Sequence, residues 1–427
     1  MTESPAAAFS PSAQKYDDLF AWSLGLAILA IFPLARFAPK GLAPLLVVFA
    51  LIGAAYWLVK RPRISITPVA TWAALFVALT LASALWSITP GTTIKTATSL
   101  VGTLLCAYTI FHLVMNLPDD SQMIARRIFV YGGLVALAAL AIDLIPQEVA
   151  EHIYGTEIKS KASSINFWNV RKPALTIAAL LIWPWLGAAR NILPRSAIIG
   201  AIIAYLIIVG ASDAGAARGA GILAVAAAIA VFFFQRAVLG ITAVGLILAI
   251  FAAPLIPPMM TDPQTLEARY DGFSESAIHR ISIWQRSAEK IKDNPVAGSG
   301  FDTVRALYGS WSARSTTFLP GTERRWTVMS EPIPLHPHNA FLQIWIELGA
   351  IGAALCAAFL CALIYVIAQK SRDDLTCAVS LGAFVSGTFI ANISFGAWQA
   401  WWIAALILIG ALIVLALRPT SAEPKQI

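Results

Sequence analysis

Charged residues are scarce in this sequence. They make up 12% of its 427 residues, against roughly 25% in soluble proteins. Hydrophobic residues make up 58%, and their runs, at about 18–24 residues, are long enough to cross a bilayer as helices. These facts exclude an ordinary soluble protein and predict a polytopic membrane protein. The first residues, up to about position 18, have no apolar core, so we also expect no cleavable signal peptide.

Cysteine is scarce too, and several catalytic patterns are missing. The four cysteines, at 106, 356, 361 and 377, lie in apolar runs, where we expect buried small side chains rather than disulfides or metal ligands. The sequence has no Walker loop, no dinucleotide fingerprint and no Gly-x-Ser-x-Gly elbow. An enzyme of this sequence is therefore expected to use neither a nucleoside triphosphate nor NAD, and we predict no cofactor.

The net charge is +7, yet it does not indicate a nucleic-acid partner. The basic residues are scattered along loops and are not clustered with aromatic residues. Two uses for them remain: they orient the chain in the bilayer, and they bind an anionic substrate such as a phosphate.

The predicted fold class is an all-α polytopic membrane protein. About twelve apolar segments are predicted to span the membrane: 19–37, 41–59, 67–86, 95–115, 127–146, 173–189, 194–211, 215–234, 237–256, 339–369, 374–393 and 396–417. An even number places both termini on one side. The excess of Lys and Arg in the loops of that side predicts that it is the cytoplasm.

These spans divide the chain into three parts. Residues 1–257 hold the first nine spans, residues 258–338 form a large outer loop, and residues 339–427 hold the last three spans and a cytoplasmic tail. The first half of the loop has apolar residues at helical spacing, and the Asn-Pro-Val-Ala-Gly-Ser-Gly sequence at 294–300 ends that pattern. An ordered helical cap is expected, because a loop of this length is usually functional.

A histidine stands where the large loop meets the next apolar segment. His338 has an ordinary pKa of about 6.5, so it can take a proton from a nucleophile near neutral pH. Asn339, Gln343 and Glu347 follow it at i, i+4, i+8 spacing, and such a polar stripe is expected to face a protein cavity rather than lipid. The pattern predicts a proton-transfer site at a cavity mouth. His336 and His338 could also form a metal pair, but no third ligand has suitable spacing and we predict no metal.

Arginines in the same loop are candidate phosphate ligands. Arg280 and Trp284 share one helical face, whereas Arg286 need not join them. A guanidinium group matches the oxygens of a phosphate and does not lose its charge. The alternative is a solvated basic face, with Trp284 packed on the membrane surface.

Two further basic positions lie near the starts of spans. Arg218 stands within the first turns of a span, where its charge and the helix dipole together favour an anion. It could instead pair with Asp213 or reach the outer interface. Arg171, with Asn169 and Lys172, closes the other long outer loop, at about 147–172. This group could add to a basic mouth or simply anchor the chain at the interface.

Four patches of the sequence form a recognisable pattern. They are His338-Asn339 followed after nine residues by Gly349-x-x-Gly352; Ala-Ser-Ala-Leu-Trp-Ser-Ile-Thr-Pro at 82–90; Ala217-Arg218-Gly219-Ala220; and Arg280-x-x-x-Trp284 with Asn294-Pro-x-x-Gly-x-Gly300. Together they resemble the O-antigen ligases and the related O-antigen and exopolysaccharide polymerases, a superfamily of bacterial integral-membrane glycosyltransferases. One departure is Ala217, which replaces the usual serine of the family.

The resemblance implies a GT-C-like, metal-independent and inverting glycosyltransferase of the bacterial inner membrane, with its large loop and active site in the periplasm. The donor would be a glycan on undecaprenyl pyrophosphate, and the acceptor lipid A–core. His338 maps to the proposed base for the acceptor hydroxyl, and Arg218 and Arg280 map to arginines that bind the pyrophosphate. Arg171, Arg286, Asn339 and Glu347 are additional candidate substrate contacts.

Two other functions compete with a ligase. A polymerase would use a second lipid-linked repeat unit as the acceptor; the Arg-x10-Gly pattern associated with polymerases is absent from the outer loops, which favours the ligase modestly. A transporter or flippase of an anionic or lipid-linked substrate is the third candidate. Transporters often have matched halves with broken helices near the midplane, and no such repeat is present in this sequence.

Overall fold

The computed structural model describes residues 11–61, 67–142, 167–212, 214–261, 265–266, 275–307, 315–318, 325–328 and 335–419. The helices are α1 (Pro11–Phe37), α2 (Leu42–Lys60), α3 (Pro68–Ala82), α4 (Pro90–Asn116), α5 (Asp119–Ile142), α6 (Phe167–Ala189), α7 (Arg195–Gly210), α8 (Gly215–Ala252), α9 (Glu275–Ile291), α10 (Val304–Leu307), α11 (Ala340–Lys370), α12 (Asp374–Ala391) and α13 (Ala400–Leu417). Short 3-10 turns at Pro39–Gly41, Ser83–Leu85 and Pro257–Met259 accompany them.

The chain is an integral membrane protein built mainly of helices. Within the described ranges, nine helices are long and apolar enough to cross a membrane, and two shorter apolar helices, Pro173–Ala189 and Arg195–Gly210, accompany them. Their side chains form two large hydrophobic clusters, one around α1, α2, α13 and one around α8, α11, α12. Many large apolar side chains stay exposed on the outside of the bundle, as a lipid environment allows.

The predicted spans 215–234 and 237–256 are joined in one element, α8, which is broken at Phe234 (φ −146°, ψ 48°). Near its start, Gly219 lies against the ring of Phe389 in α12. Near its end, the carbonyl of Ile250 accepts a hydrogen bond from Trp345 in α11 (2.8 Å). A straight helix would separate these two positions by about 46 Å, whereas α11 begins and α12 ends at the same end of the bundle. The chain therefore reverses near Phe234.

The bundle has two chemically different ends. One end carries His338 and is called the site end. The opposite end, called the basic end, carries ion pairs between helix termini: Lys60 with Asp17 (2.8 Å), Arg190 with Asp373 (3.5 Å) and Arg418 with Asp119 (3.5 Å). The N-terminus of α12 is closed there by a capping box of Asp373 and Thr376, which satisfies its first backbone N–H groups.

Above the site end lies the amphipathic helix α9, which packs on α11 and on the turn at Pro257–Met259. Beyond it the fold departs from the all-α prediction. Two strands, β1 (Ser315–Phe318) and β2 (Arg325–Val328), pair antiparallel with Ser315 opposite Val328 and Phe318 opposite Arg325. The second half of the large loop thus contains a hairpin that the hydrophobic pattern did not predict.

Candidate active site

The site is built around a break in α11. Gly349 has φ +60° and ψ −157° and interrupts the helical hydrogen bonds. Residues 294–303, called the strap, fill this break by backbone pairing: Ala350 N to Pro295 O (2.9 Å), Ile351 N to Val296 O (3.2 Å), Ser299 N to Ile346 O (3.0 Å) and Gly300 N to Glu347 O (2.9 Å). Backbone groups left unpaired in a membrane are costly, so the strap stabilises the broken helix.

Steric constraints explain why glycine occupies three positions in this region. Gly298 and Gly300 have positive φ, +68° and +101°, a region that favours glycine. A Cβ on Gly298 would lie 2.3 Å from the backbone carbon of Glu347, and one on Gly349 would lie 2.4 Å from that of Val296. The strap and the broken helix therefore approach so closely that side chains do not fit between them.

A third patch of the sequence joins the same assembly. The strap passes over residues 83–88, the turn between α3 and α4, and is held by Trp86 Nε1 to Ala297 O (3.1 Å), Ile88 N to Ser299 O (3.1 Å) and Phe301 N to Ser83 Oγ (3.1 Å). Three of the four patches that carry the family resemblance thus meet in space. About 200 residues of chain separate the patch at 82–90 from the strap that it contacts.

Glu347 lies at the centre of this assembly and is fully buried, with 0% of its surface exposed. Its side chain accepts hydrogen bonds from Gln343 Nε2 (3.1 Å), from the backbone N–H of Asp302 (2.9 Å) and from Trp398 Nε1. Gln343 in turn accepts from the backbone N–H of Ala397 (2.9 Å). Its carboxylate thus joins the strap to residues 392–399, called the connector, which link α12 to α13. The substrate contact predicted for Glu347 stays a prediction.

Asn339 also has a structural partner. Its side-chain oxygen accepts a hydrogen bond from the backbone N–H of Leu342 (3.0 Å), so Asn339 is the N-cap of α11. In the same turn, Asn392 of the connector accepts from the backbone N–H of Phe341 (3.1 Å). The oxygen of Asn339 thus stabilises the start of the helix that follows the histidine, and the substrate contact predicted for Asn339 stays a prediction.

His338 stands in a strained conformation at the mouth of α11. Its φ of +54° is uncommon for a residue other than glycine and costs on the order of 1–3 kcal/mol. Its ring Nδ1 lies 2.7 Å from the carbonyl oxygen of Ser394 in the connector. A carbonyl oxygen only accepts, so Nδ1 carries the ring proton and Nε2 keeps a lone pair. The geometry leaves His338 with the nitrogen that a general base requires.

Burial is the main cause that lowers the pKa of His338, and the positive charges of Arg280 and His279 lower it further, against an opposing effect of the Ser394 carbonyl. The imidazole is therefore neutral at neutral pH. Arg280 is thus close enough to His338 for its charge to act on the ring. Burial also lowers the pKa of the Arg280 guanidinium.

Helix α9 is fixed to the histidine segment by a tryptophan. Trp284 Nε1 donates a hydrogen bond to the carbonyl oxygen of Pro337 (3.0 Å), one residue before His338. Because Arg280 stands one turn before Trp284 on the same face, this contact explains why the arginine lies near the histidine. Arg286 is half-buried six residues further along α9 than Arg280.

Two predicted arginines come from the transmembrane helices. Arg218 is exposed in the first turn of α8, and its neighbour Gly219 contacts Phe389, so it lies at the site end. Within the described part of the chain, no hydrogen bond or ion pair is formed by its guanidinium group. Arg171 lies in the first turns of α6, but its side chain is outside the described residues, as is Asp213.

The sequence did not identify two parts of the site. The connector acts on His338 through the carbonyl of Ser394, a backbone group that leaves no signature in the residue type. His336 was weighed as a metal ligand and its part in the site was left open; its ring packs edge-on against that of His338, with centroids 4.3 Å apart. Among the described residues, no three His, Cys, Asp or Glu side chains are grouped so as to hold a metal ion.

Comparison with known proteins confirms the family resemblance. Residues 162–357 match the family model described as O-Antigen ligase. A candidate polysaccharide ligase of Rickettsia felis is 27% identical over 354 residues, 81% of this chain and 80% of that protein. One of Rickettsia bellii is 25% identical over 315 residues, 72% and 71% of the two chains. One of Rickettsia conorii is 33% identical over 179 residues, but the match spans only 42% of this chain and 41% of that protein.

Proposed function

We propose that this chain, a member of the O-antigen ligase family through residues 162–357, is a glycosyltransferase that moves a glycan from undecaprenyl pyrophosphate to lipid A–core. The observation that carries the proposal is the arrangement of His338. Its Nδ1 is held by the Ser394 carbonyl, 2.7 Å away, while the charge of Arg280 acts on the same ring. A neutral base beside a fixed positive charge is suited to transfer from an anionic leaving group.

The proposed reaction is one in-line displacement. His338 Nε2 takes the proton of the acceptor hydroxyl as its oxygen forms a bond to the anomeric carbon. The bond from that carbon to the pyrophosphate oxygen breaks, and the leaving group departs with the electron pair. Attack from the side opposite the leaving group inverts the anomeric centre. No metal is required, because the positive charge comes from arginines.

The arginines are proposed to bind the pyrophosphate. Negative charge grows on the leaving oxygen as the bond breaks, so a fixed guanidinium stabilises the transition state more than the ground state. Arg280 is supported by its effect on His338, and Arg218 by its exposed position at the start of α8. Arg286 and Arg171 are proposed as outer contacts of the same anion.

We propose twelve membrane crossings, with both termini in the cytoplasm, the site end in the periplasm and residues 258–338 as a GT-C-like periplasmic loop. The proposal is supported by the nine long and two shorter apolar helices among the described residues, with α8 counted twice because the chain reverses near Phe234. The orientation is supported by the ion pairs of Lys60, Arg190 and Arg418 at the basic end, since Lys and Arg favour the cytoplasmic side.

The acceptor is tested by offering two candidates separately. Purified protein in nanodiscs receives an undecaprenyl-pyrophosphate glycan together with either lipid A–core or a second lipid-linked repeat unit, and the products are separated by size. A single addition to lipid A–core supports the ligase. A ladder of growing chains on the lipid-linked unit alone would assign the chain as a polymerase. Uptake of the donor into vesicles without glycosidic bond formation would favour a transporter.

A further inference from the structure

We propose that His336 is a positioning residue that holds His338 in its reactive conformation, with Gln399 as its support. The inference rests on the proposed function of His338 as a base. It assigns no proton transfer to His336 itself. The contacts of the His336 ring on three sides carry the argument.

The first contact is with the backbone of the base. The N–H of His338 donates to Nδ1 of His336 (3.3 Å), and the two rings pack edge-on with centroids 4.3 Å apart. The backbone of His338 has the positive φ noted above, +54°, which persists only where surrounding contacts determine it. An acceptor for its N–H, placed two residues earlier in the chain, stabilises this turn and fixes the direction of the His338 side chain.

The second contact is with the connector. Nε2 of His336 lies 3.2 Å from the side-chain amide nitrogen of Gln399. Because Nδ1 accepts from the backbone, Nε2 carries the ring proton, and a half-turn of the Gln399 amide presents its oxygen as the acceptor. Gln399 directly precedes α13 and is thus fixed by a transmembrane helix. The His336 ring transmits this fixed position to the loop of His338.

The third contact is steric. Gly396 leaves room for the His336 ring: a Cβ at this position would lie 2.9 Å from both Cγ and Cδ2 of the ring. The ring therefore fits a slot in the connector, the same segment that supplies Ser394 to His338. Burial is the main cause that lowers the pKa of His336 to about 4, and the charge that His338 carries when protonated and the charge of Arg305 lower it further. The unprotonated Nδ1 can therefore accept a hydrogen bond at neutral pH.

The role predicts a particular pattern among substitutions. In His336→Ala the backbone N–H of His338 loses its acceptor, so kcat should fall by on the order of 10- to 100-fold, while KM for the donor stays within about twofold. His336→Asn places an amide oxygen near the position of Nδ1 and should restore most of the loss. Gln399→Leu should reduce kcat less than His336→Ala, since it removes only the support.

The experiment measures kcat and KM of these variants in the two-acceptor assay, with the thermal midpoint of each variant recorded. An asparagine can accept the hydrogen bond from the His338 N–H, although it cannot relay a proton. An equal loss of kcat in His336→Asn and His336→Ala would therefore overturn the proposal. Unchanged kcat in His336→Ala, or a loss confined to KM, would overturn it as well. If His336→Ala is poorly folded, Gly396→Ala takes its place, because the added Cβ displaces the His336 ring. An unchanged kcat in Gly396→Ala would then overturn the proposal. A wild-type protein without transfer activity would contradict the proposed function instead.

Discussion

The Nδ1 atom of His338 lies 2.7 Å from the carbonyl oxygen of Ser394, and this contact decides which ring nitrogen acts as the base. Ser394 belongs to the connector, whose neighbouring residues also contact His336, Gln343 and Glu347. The base is therefore oriented by the segment between the last two helices as well as by its own. Any change that moves the connector should change the reaction without touching the histidine.

The pH dependence of transfer should follow His338. The rate rises as the imidazole loses its proton, and burial lowers the pKa of this group below its ordinary value, about 6.5. The acidic limb of kcat/KM should therefore have its midpoint below that value. The measurement is a pH–rate profile of the wild-type protein at saturating acceptor. A midpoint above about 6.5 would contradict the account of the base.

Arg280→Ala should shift this profile in a known direction. The positive charge of Arg280 lowers the pKa of His338, so its removal should raise that pKa and move the acidic limb to higher pH. The exposed Arg195 at the start of α7 supplies a matched control, and Arg195→Ala should leave the limb in place. A limb that stays fixed in Arg280→Ala, or moves to lower pH, would show that the two groups are not coupled.

Donor binding should depend on guanidinium geometry and not on charge alone. Arg218→Ala and Arg280→Ala should each weaken use of the donor, and the lysine variants should recover only part of it, because an ammonium lacks the two-pronged fork. The measurement is KM and kcat with an undecaprenyl-pyrophosphate glycan, again against Arg195→Ala. Full recovery in both lysine variants would argue against bidentate contact with the pyrophosphate.

Glu347→Ala should lower activity because the strap and the connector lose the carboxylate that joins them, and not because a substrate contact is lost. It leaves three donors, from buried Gln343 and half-buried Asp302 and Trp398, without their acceptor, at about 1–3 kcal/mol for each donor that is left buried and unsatisfied. The thermal midpoint should fall together with kcat, and Glu347→Gln, which retains one oxygen, should lie between. Tyr365→Ala, on the exposed side of the same helix, serves as the control. Loss of donor affinity with an unchanged thermal midpoint would instead support Glu347 as a substrate ligand.

Gly349→Ala should destabilise the protein by at least about 2 kcal/mol. The backbone at this position has φ +60°, and a Cβ would lie 2.4 Å from the strap at Val296. Gly102→Ala in α4 is the matched control, because a Cβ there meets nothing within 4 Å. The thermal midpoints of the two variants in detergent give the comparison. Equal midpoints would show that the strap is not held closely against the break in α11.

Much of the bundle could be predicted from the sequence, because apolar runs and the charges between them determine where helices cross. The reversal in α8 could be predicted because the sequence has two adjacent apolar segments, 215–234 and 237–256, each long enough to span the membrane, although no polar loop separates them. The hairpin of β1 and β2 could not be predicted, since two four-residue strands give too short a pattern.

From the sequence, candidate site residues could be named only where a single side chain has suitable chemistry. His338 and Arg280 became candidates because an imidazole can act as a base and a guanidinium can bind a phosphate. The partners of Glu347 could not be predicted, because a polar stripe at helical spacing predicts a face but not what packs on it, and the strap that covers Glu347 lies about 45 residues earlier in the chain. The contact between the Ser394 carbonyl and His338 could not be predicted, because it is made by a backbone group that every residue has.

The most direct test of the central claim is the transfer rate of His338→Ala with a purified undecaprenyl-pyrophosphate glycan and acceptor under single-turnover conditions. We expect glycosidic bond formation to be slowed by on the order of 100-fold or more, while the thermal midpoint and donor binding remain those of the wild-type protein. Transfer at the wild-type rate by this variant would contradict the assignment of His338 as the base.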